Sequence, residues 1–131
     1  MNYLIDTQVL IWSLTSIGKI SVSVKTILEN NSIYVSQVSL FEIAIKQKIG
    51  KLPELTASIK DIIKRVESDG FILMEIKNEH FDGYEKIPLI DDHRDPFDRF
   101  LLATALSENF PIISADEKFQ QYIPLVNVIW K

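Results

Sequence analysis

YLIDTQVLIW, Tyr3 to Trp12, sets one carboxylate between two apolar runs. Residues 2 to 5 read as a buried strand and Val9 to Leu14 as a helix, with Asp6 and Thr7 at the junction. A strand that is apolar on both faces and passes at once into a helix is the opening of a parallel-sheet unit, whose two faces helices must cover. Asp6 then has two readings. It caps the helix by accepting backbone N–H bonds at the positive end of the dipole, or it forms one wall of a metal site.

The same alternation continues along the chain. Ser21 to Asn30 predicts a second helix, opened by a serine cap and closed by the Asn30-Asn31 pair, and SIYVS (32–36) predicts the next strand. From Ser36 to Ile49, Val38, Phe41, Ile45 and Ile49 recur at helical spacing, with Gly50 as the stop; Thr56 to Asp69 repeats this, with Gly70 ending it before the strand FILMEI (71–76). A short helix spans Glu79 to Lys86. The polar stretch IPLIDDHRDP (87–96) leads into a nearly all-apolar helix from Pro96 to Asn109, since proline's fixed φ suits a first helical turn. The chain closes with FPIIS (110–114) as a strand, DEKFQQY (116–122) as a short helix and LVNVIW (125–130) as a last strand. The expected fold is α/β, one domain over residues 1–131, with a central parallel sheet flanked by helices on both faces.

Composition narrows the chemistry. The 131 residues, 47% hydrophobic and 24% charged, suit one globular domain. Because no apolar run approaches the roughly 20 residues of a spanning helix, membrane insertion is not expected. The N-terminus lacks a signal-peptide pattern, so a cytoplasmic location is expected. With no cysteine, disulfides and thiolate chemistry are excluded; His80 and His93 are too far apart in sequence for a helical metal pair, so oxygen ligands are expected for any metal. The net charge of −4 argues against a general nucleic-acid binder, although a cation held by clustered carboxylates reverses the local field.

Open α/β sheets bind ligands outside the carboxyl ends of their strands. Asp6 follows the first strand, Asp116 follows FPIIS, and Glu42 lies just beyond SIYVS. Each acid also has a plain structural explanation. Glu42 fits a capping box from Ser39 and an ion pair with Lys46, Asp95 and Asp98 fit a box around Pro96, and Asp116 caps the short helix after it. Their conjunction on one sheet edge is harder to explain structurally. Two like charges about 4 Å apart repel by about 4 kcal/mol at an effective dielectric of 20, so such a cluster protonates or recruits cations. Mg²⁺ or Mn²⁺ suits all-oxygen ligation and activates water for attack on phosphorus.

These residues resemble the PIN domain, specifically the VapC-type toxins of type II toxin-antitoxin systems. The resemblance covers nearly the whole chain and rests on YLIDTQVLIW, YVSQVSLFEIAIKQKIGKL, HRDPFDRFLLATA and PIISADEKF, in the family's order and approximate spacing. It implies that Asp6, Glu42, Asp98 and Asp116 are the catalytic acids, coordinating one or two Mg²⁺ or Mn²⁺ ions and activating the water that hydrolyses RNA. Thr7 and Ser114 match hydroxyl positions that orient a ligand or water, and either also reads as a cap. Asp95 is assigned to capping first and to support of the acids second. One departure is Gln8, where close relatives often carry His; glutamine hydrogen-bonds but does not titrate.

Positive charge for an RNA substrate is offered by Lys46, Lys48 and Lys51 and by Arg94 and Arg99, with Arg99 the favoured phosphate contact. The resemblance further implies a cognate antitoxin and a homodimer, with Trp12, Leu14, Ile17, Ile49 and Leu52 as a candidate apolar groove for an amphipathic antitoxin helix. Two other readings stay open: a PIN-type nuclease of RNA processing, and a non-catalytic interaction module whose acids serve only as caps. A haloacid-dehalogenase-type phosphatase is disfavoured because Gln8 stands where it needs a second Asp, and no G-x-G-x-x-G motif supports a dinucleotide fold.

Overall fold

A computed structural model describes residues 1–131. Five strands, β1 (Asn2–Ile5), β2 (Ser32–Ser36), β3 (Ile72–Met74), β4 (Ile112–Ile113) and β5 (Val128–Ile129), form one all-parallel sheet in the order β3-β2-β1-β4-β5. The chain builds outward from β1 to β3 on one side, then crosses to build β4 and β5 on the other. The order reverses between β1 and β4, and their diverging connections leave a crevice at the carboxyl ends of these two strands.

Six α-helices cover the sheet: α1 (Thr7–Thr15), α2 (Val22–Asn30), α3 (Gln37–Lys48), α4 (Ile59–Ser68), α5 (Asn78–Lys86) and α6 (Pro96–Glu108). Strand side chains alternate between faces, and the core sorts accordingly. Tyr3, Ile5, Ile33, Val35 and Ile113 pack with apolar residues of α1, α2, α3 and α4, whereas Leu4, Ile112 and Val128 pack with Phe100 to Ala103 of α6. The expected α/β sandwich with helices on both faces is therefore what forms.

Local signals placed most boundaries. Ser21, Ser36 and Ser58 each cap a helix by accepting a backbone N–H, and Gly50 and Gly70 take left-handed φ values of 74° and 87° just past α3 and α4, where a Cβ is disfavoured. The expected helix over Thr56 to Asp69 starts later, at Ile59, because Ser58 is the residue that caps it. DEKFQQY forms a 3₁₀ helix over Glu117–Tyr122. The last two strands shrink to two residues each, as Pro111 has no N–H to extend the ladder.

Helices α5 and α6 meet at Gly83, where a Cβ would lie 2.8 Å from the Ala103 carbonyl oxygen. Helix propensity alone favours alanine over glycine by about 1 kcal/mol. A clash with helix backbone outweighs that gain, because the two helices must separate. Gly83→Ala is expected to destabilise the protein by roughly 1–3 kcal/mol, read as a lower midpoint in urea unfolding. A midpoint equal to or above that of the unsubstituted protein would show that α5 moves freely against α6.

Candidate active site

A cleft of about 310 Å³ opens at the β1/β4 crevice. Five carboxylates line it, those of Asp6, Glu42, Asp95, Asp98 and Asp116, and Lys46 is the cation among its lining residues. Thr7, Gln8 and Trp12 of α1 complete one wall. The four acids expected from the sequence are thus brought together, and Asp95 joins them.

Each acid arrives on a different element. Asp6 ends β1 and caps α1: the Val9 N–H donates to its Oδ1 at 2.8 Å, and the residue is 4% exposed. Burial pushes its pKa up to about 7; hydrogen bonding from Ser114 and the Val9 N–H opposes this, while the charges of Asp98 and Glu42 add to it. Glu42 lies on α3 and is also buried. Its Oε2 pairs with Lys46 Nζ at 3.1 Å, and its Oε1, shielded from solvent, has no hydrogen-bond partner. The capping-box explanation of Glu42 does not hold, because Ser36 caps α3 and Glu42 sits well inside it.

Asp98 stands in the first turn of α6, and burial pushes its pKa up to about 6, with the His93 hydrogen bond opposing and the charges of Asp95 and Glu42 adding. Asp116 caps the 3₁₀ helix, its Oδ1 accepting from Lys118 N–H at 3.0 Å. Asp95 caps α6 through the Phe97 and Asp98 N–H groups, both on Oδ1. At Asp6 and Asp116 cap and acid coincide, since a helix that starts at a strand's carboxyl end directs both its free N–H groups and its capping carboxylate at the same crevice.

Two hydroxyls support these acids. Ser114 is buried, accepts the Asp116 N–H at 3.1 Å and lowers the pKa of Asp6, so it links the ends of β1 and β4. Thr7 Oγ1 donates to Ser39 Oγ at 2.9 Å, tying the start of α1 to α3 one turn before Glu42. Arg99 does not line the cleft. It is buried, its NH1 and NH2 donate to the carbonyls of Pro88 and Ile87 at 2.6 and 3.0 Å, and its guanidinium lies 5.1 Å from the Tyr84 ring centroid. The expected phosphate contact is therefore corrected: α6 turns Arg99 away from its near neighbour Asp98, and its donors hold the 87–88 backbone. Of the candidate apolar groove, Leu52 is core and Trp12 packs on Trp130 at 5.8 Å, whereas Ile17 and Ile49 remain exposed.

His93 was set aside on sequence spacing, yet one of its ring nitrogens lies within 4.8 Å of ligand atoms on both Asp98 and Asp116. Its Nε2 is 3.1 Å from Asp98 Oδ2 and its Nδ1 is 2.7 Å from the Tyr122 hydroxyl. The available signal was its place five residues before Asp98, across a proline-initiated helix start.

The donor set fits a hard divalent cation. An unpartnered buried carboxylate oxygen is costly unless something satisfies it, and two acids whose pKa values are raised by burial and by neighbouring carboxylate charges lose that strain when a cation is added. The ligands are carboxylate oxygens of the kind Mg²⁺ and Mn²⁺ prefer.

The model of the PIN domain family matches residues 3–123. No curated protein matches the sequence. Among solved structures, VapBC2 from Rickettsia felis, bound to a DNA fragment from its promoter, is similar with a TM-score of 0.71 at 16% identity, covering 100% of both chains. DNA-bound VapBC from Salmonella typhimurium gives 0.67 at 14%, covering 98% of this chain and 97% of that one. VapBC-1 from nontypeable Haemophilus influenzae gives 0.65 at 20%, again covering 98% and 97%. At these identities the likeness is one of fold.

Proposed function

The chain belongs to the PIN domain family, and from that premise we propose that it is a divalent-cation-dependent endoribonuclease, the toxin of a toxin-antitoxin pair. The observation that carries this reading is the Glu42 carboxylate, buried within a crevice of four other acids with one oxygen unpartnered. Helix caps do not require that oxygen, and a cation does.

Asp6, Glu42, Asp98 and Asp116 would hold one or two Mg²⁺ or Mn²⁺ ions. Such an ion supplies positive charge that draws a phosphodiester into an acidic cleft and lowers the pKa of a nearby water. The chain's own part is positioning. Ser114 and the Val9 N–H keep Asp6 aimed into the crevice, and Thr7 with Ser39 fixes α1 against α3. Lys46 sits at the cleft with its side chain 38% exposed, so it replaces Arg99 as the cation best placed to meet a substrate phosphate. Gln8 is exposed at the rim and offers hydrogen bonds without titrating.

An antitoxin and a homodimer belong to the same reading. Other similar solved structures are described as a toxin-antitoxin complex from Klebsiella pneumoniae and as a member of the VapBC family of toxin-antitoxin systems from Mycobacterium tuberculosis, and Phe41, Ile17 and Ile49 expose apolar side chains on this chain. RNA is preferred as substrate on the family resemblance, and cytoplasmic action follows from it.

Purified protein is expected to cleave a mixed RNA pool with Mn²⁺, to stop with EDTA, and to lose about 10²-fold or more in rate on Glu42→Gln, which removes a ligand charge worth several kcal/mol. Cleavage that survives both changes would sink the cation-dependent mechanism. Absence of both cleavage and Mn²⁺ binding in folded, antitoxin-free protein would leave the acids as caps.

A further inference from the structure

We propose that His93 is a positioning residue for Asp98, held in register by Tyr122, and that this buried chain orients one carboxylate of the cation site. The inference rests on the proposed function above. It concerns residues that the acid motif does not include.

The three groups form a directed chain of hydrogen bonds. At one end stands the Tyr122 phenol, whose O–H rotates to suit the acceptor it finds. The neighbour within bonding distance is His93 Nδ1, at 2.7 Å. With Nδ1 accepting, the imidazole carries its proton on Nε2, which lies 3.1 Å from Asp98 Oδ2. A carboxylate oxygen is the acceptor that this proton requires. Every donor meets an acceptor, and the direction of the whole chain is set at Asp98, whose ionised carboxylate only accepts.

Packing holds the imidazole where the hydrogen bonds need it. His93 is 3% exposed, with its ring centroid 5.5 Å from those of Phe119 and Tyr122. Its backbone N–H donates to Ile90 O at 3.0 Å, closing the tight turn that precedes α6. Asp98 would otherwise be free to swing, as its side chain is 24% exposed and carries no other side-chain hydrogen bond. Fixing Oδ2 leaves Oδ1 as the atom available to a ligand.

The arrangement also distinguishes support from ligation. A ring nitrogen of His93 lies within 4.8 Å of oxygens of Asp98 and Asp116, close enough to suggest a third ligand. A nitrogen that donates a proton to Asp98 has no lone pair to offer a cation. His93 therefore acts through Asp98, as hydrogen-bond partners behind metal ligands do, and their loss typically lowers metal affinity by about 10–100-fold.

The test measures Mn²⁺ binding, with no RNA present, for the unsubstituted protein, His93→Leu, His93→Gln and Tyr122→Phe. Thermal unfolding of each is followed in parallel. Glutamine places an amide N–H near the position of Nε2, so the expected order of affinity is unsubstituted, then His93→Gln, then His93→Leu about 10–100-fold weaker, with Tyr122→Phe also weakened. Electron paramagnetic resonance of bound Mn²⁺ should show no directly coordinated ¹⁴N. If His93→Leu fails to fold, the glutamine and phenylalanine variants carry the comparison.

Unchanged Mn²⁺ affinity in folded His93→Gln and Tyr122→Phe, with only a lower melting temperature, would make the chain a packing device and overturn the proposal. A ¹⁴N coupling would overturn it in favour of direct ligation. Failure of the unsubstituted protein to bind Mn²⁺ would instead remove the cation site on which the proposal depends.

Discussion

Asp6→Asn will cut cation-dependent RNA cleavage by about 10²–10³-fold and, in the same molecule, stabilise the cation-free protein at neutral pH. The two effects have one cause. Asp6 is 4% exposed and lies among like charges, and its pKa is raised from 3.8 to about 7. An acid whose folded pKa is raised binds its proton more tightly when folded than unfolded. Its contribution to stability is fully present below about pH 4 and is lost as pH rises through about 7. At pH 8 the buried charge therefore opposes folding by an amount on the order of 2–4 kcal/mol, since one pKa unit corresponds to about 1.4 kcal/mol.

Asparagine removes that charge while its Oδ1 still accepts the Val9 N–H, so the cap on α1 survives. The expected result is a higher melting temperature than the unsubstituted protein at pH 8 without cation, and little difference at pH 4. Activity moves the other way, by about 10²–10³-fold, because a neutral amide neither supplies the charge that holds a cation nor helps offset it. Equal melting temperatures at pH 8 would mean that Asp6 is not strained. Retained cleavage would remove it from the site.

Mn²⁺ will stabilise the protein far more at pH 8 than at pH 5. The cation-free protein should itself lose stability across the window from about pH 4 to pH 7, as Asp98, raised to about 6, and then Asp6, raised to about 7, are forced to ionise; the two shifts have the same sign. Glu108 works in the opposite direction. Its hydrogen bond with His80 and pairing with Lys77 hold its pKa below the usual carboxylate value, so its contribution is present above about 4.5 and fades on acidification. The acid limb thus belongs to Glu108 and the neutral limb to the cleft.

A cation binds the ionised carboxylates and competes with protons, so its apparent affinity should rise with pH through about 6 to 7. At 100 times its dissociation constant a ligand adds about 2.7 kcal/mol, or a melting shift of roughly 8–11 °C for a chain of this size. Melting curves with and without MnCl₂ at pH 5 and pH 8 check this directly. A shift of equal size at both pH values, or its persistence in Asp6→Asn, would place the cation elsewhere.

Much of the architecture was legible residue by residue. YLIDTQVLIW predicted a buried strand leading into a helix, Ser21 and Ser36 marked helix starts, Gly50 and Gly70 marked stops, and Pro96 opened α6. Such signals work because capping, backbone φ preference and the alternation of side chains act within a few residues. Strand-then-helix alternation also implied the parallel sheet, and with it the edge on which acids at β-to-α junctions must gather. Asp6 and Asp116 could be named as candidates for that reason, Glu42 and Asp98 from their places near helix starts, and the family resemblance implied the same four.

What the sequence alone left open concerns which of several local partners each polar group adopts. Glu42 fitted a capping box, and only the packed structure shows it buried, paired with Lys46 through one oxygen and unpartnered at the other. Arg99 stands next to Asp98 in the chain, yet α6 points it to the carbonyls of residues 87 and 88. His93 had no helical partner, and the fold carries it to Asp98 on one side and Tyr122 on the other. Local rules determined where the chain turns and caps. Burial and hydrogen-bond pairing between distant segments depend on which faces meet when the sheet is covered, and so the tertiary structure alone decided which acids are strained, which Glu42 oxygen is free and which histidine meets Asp98.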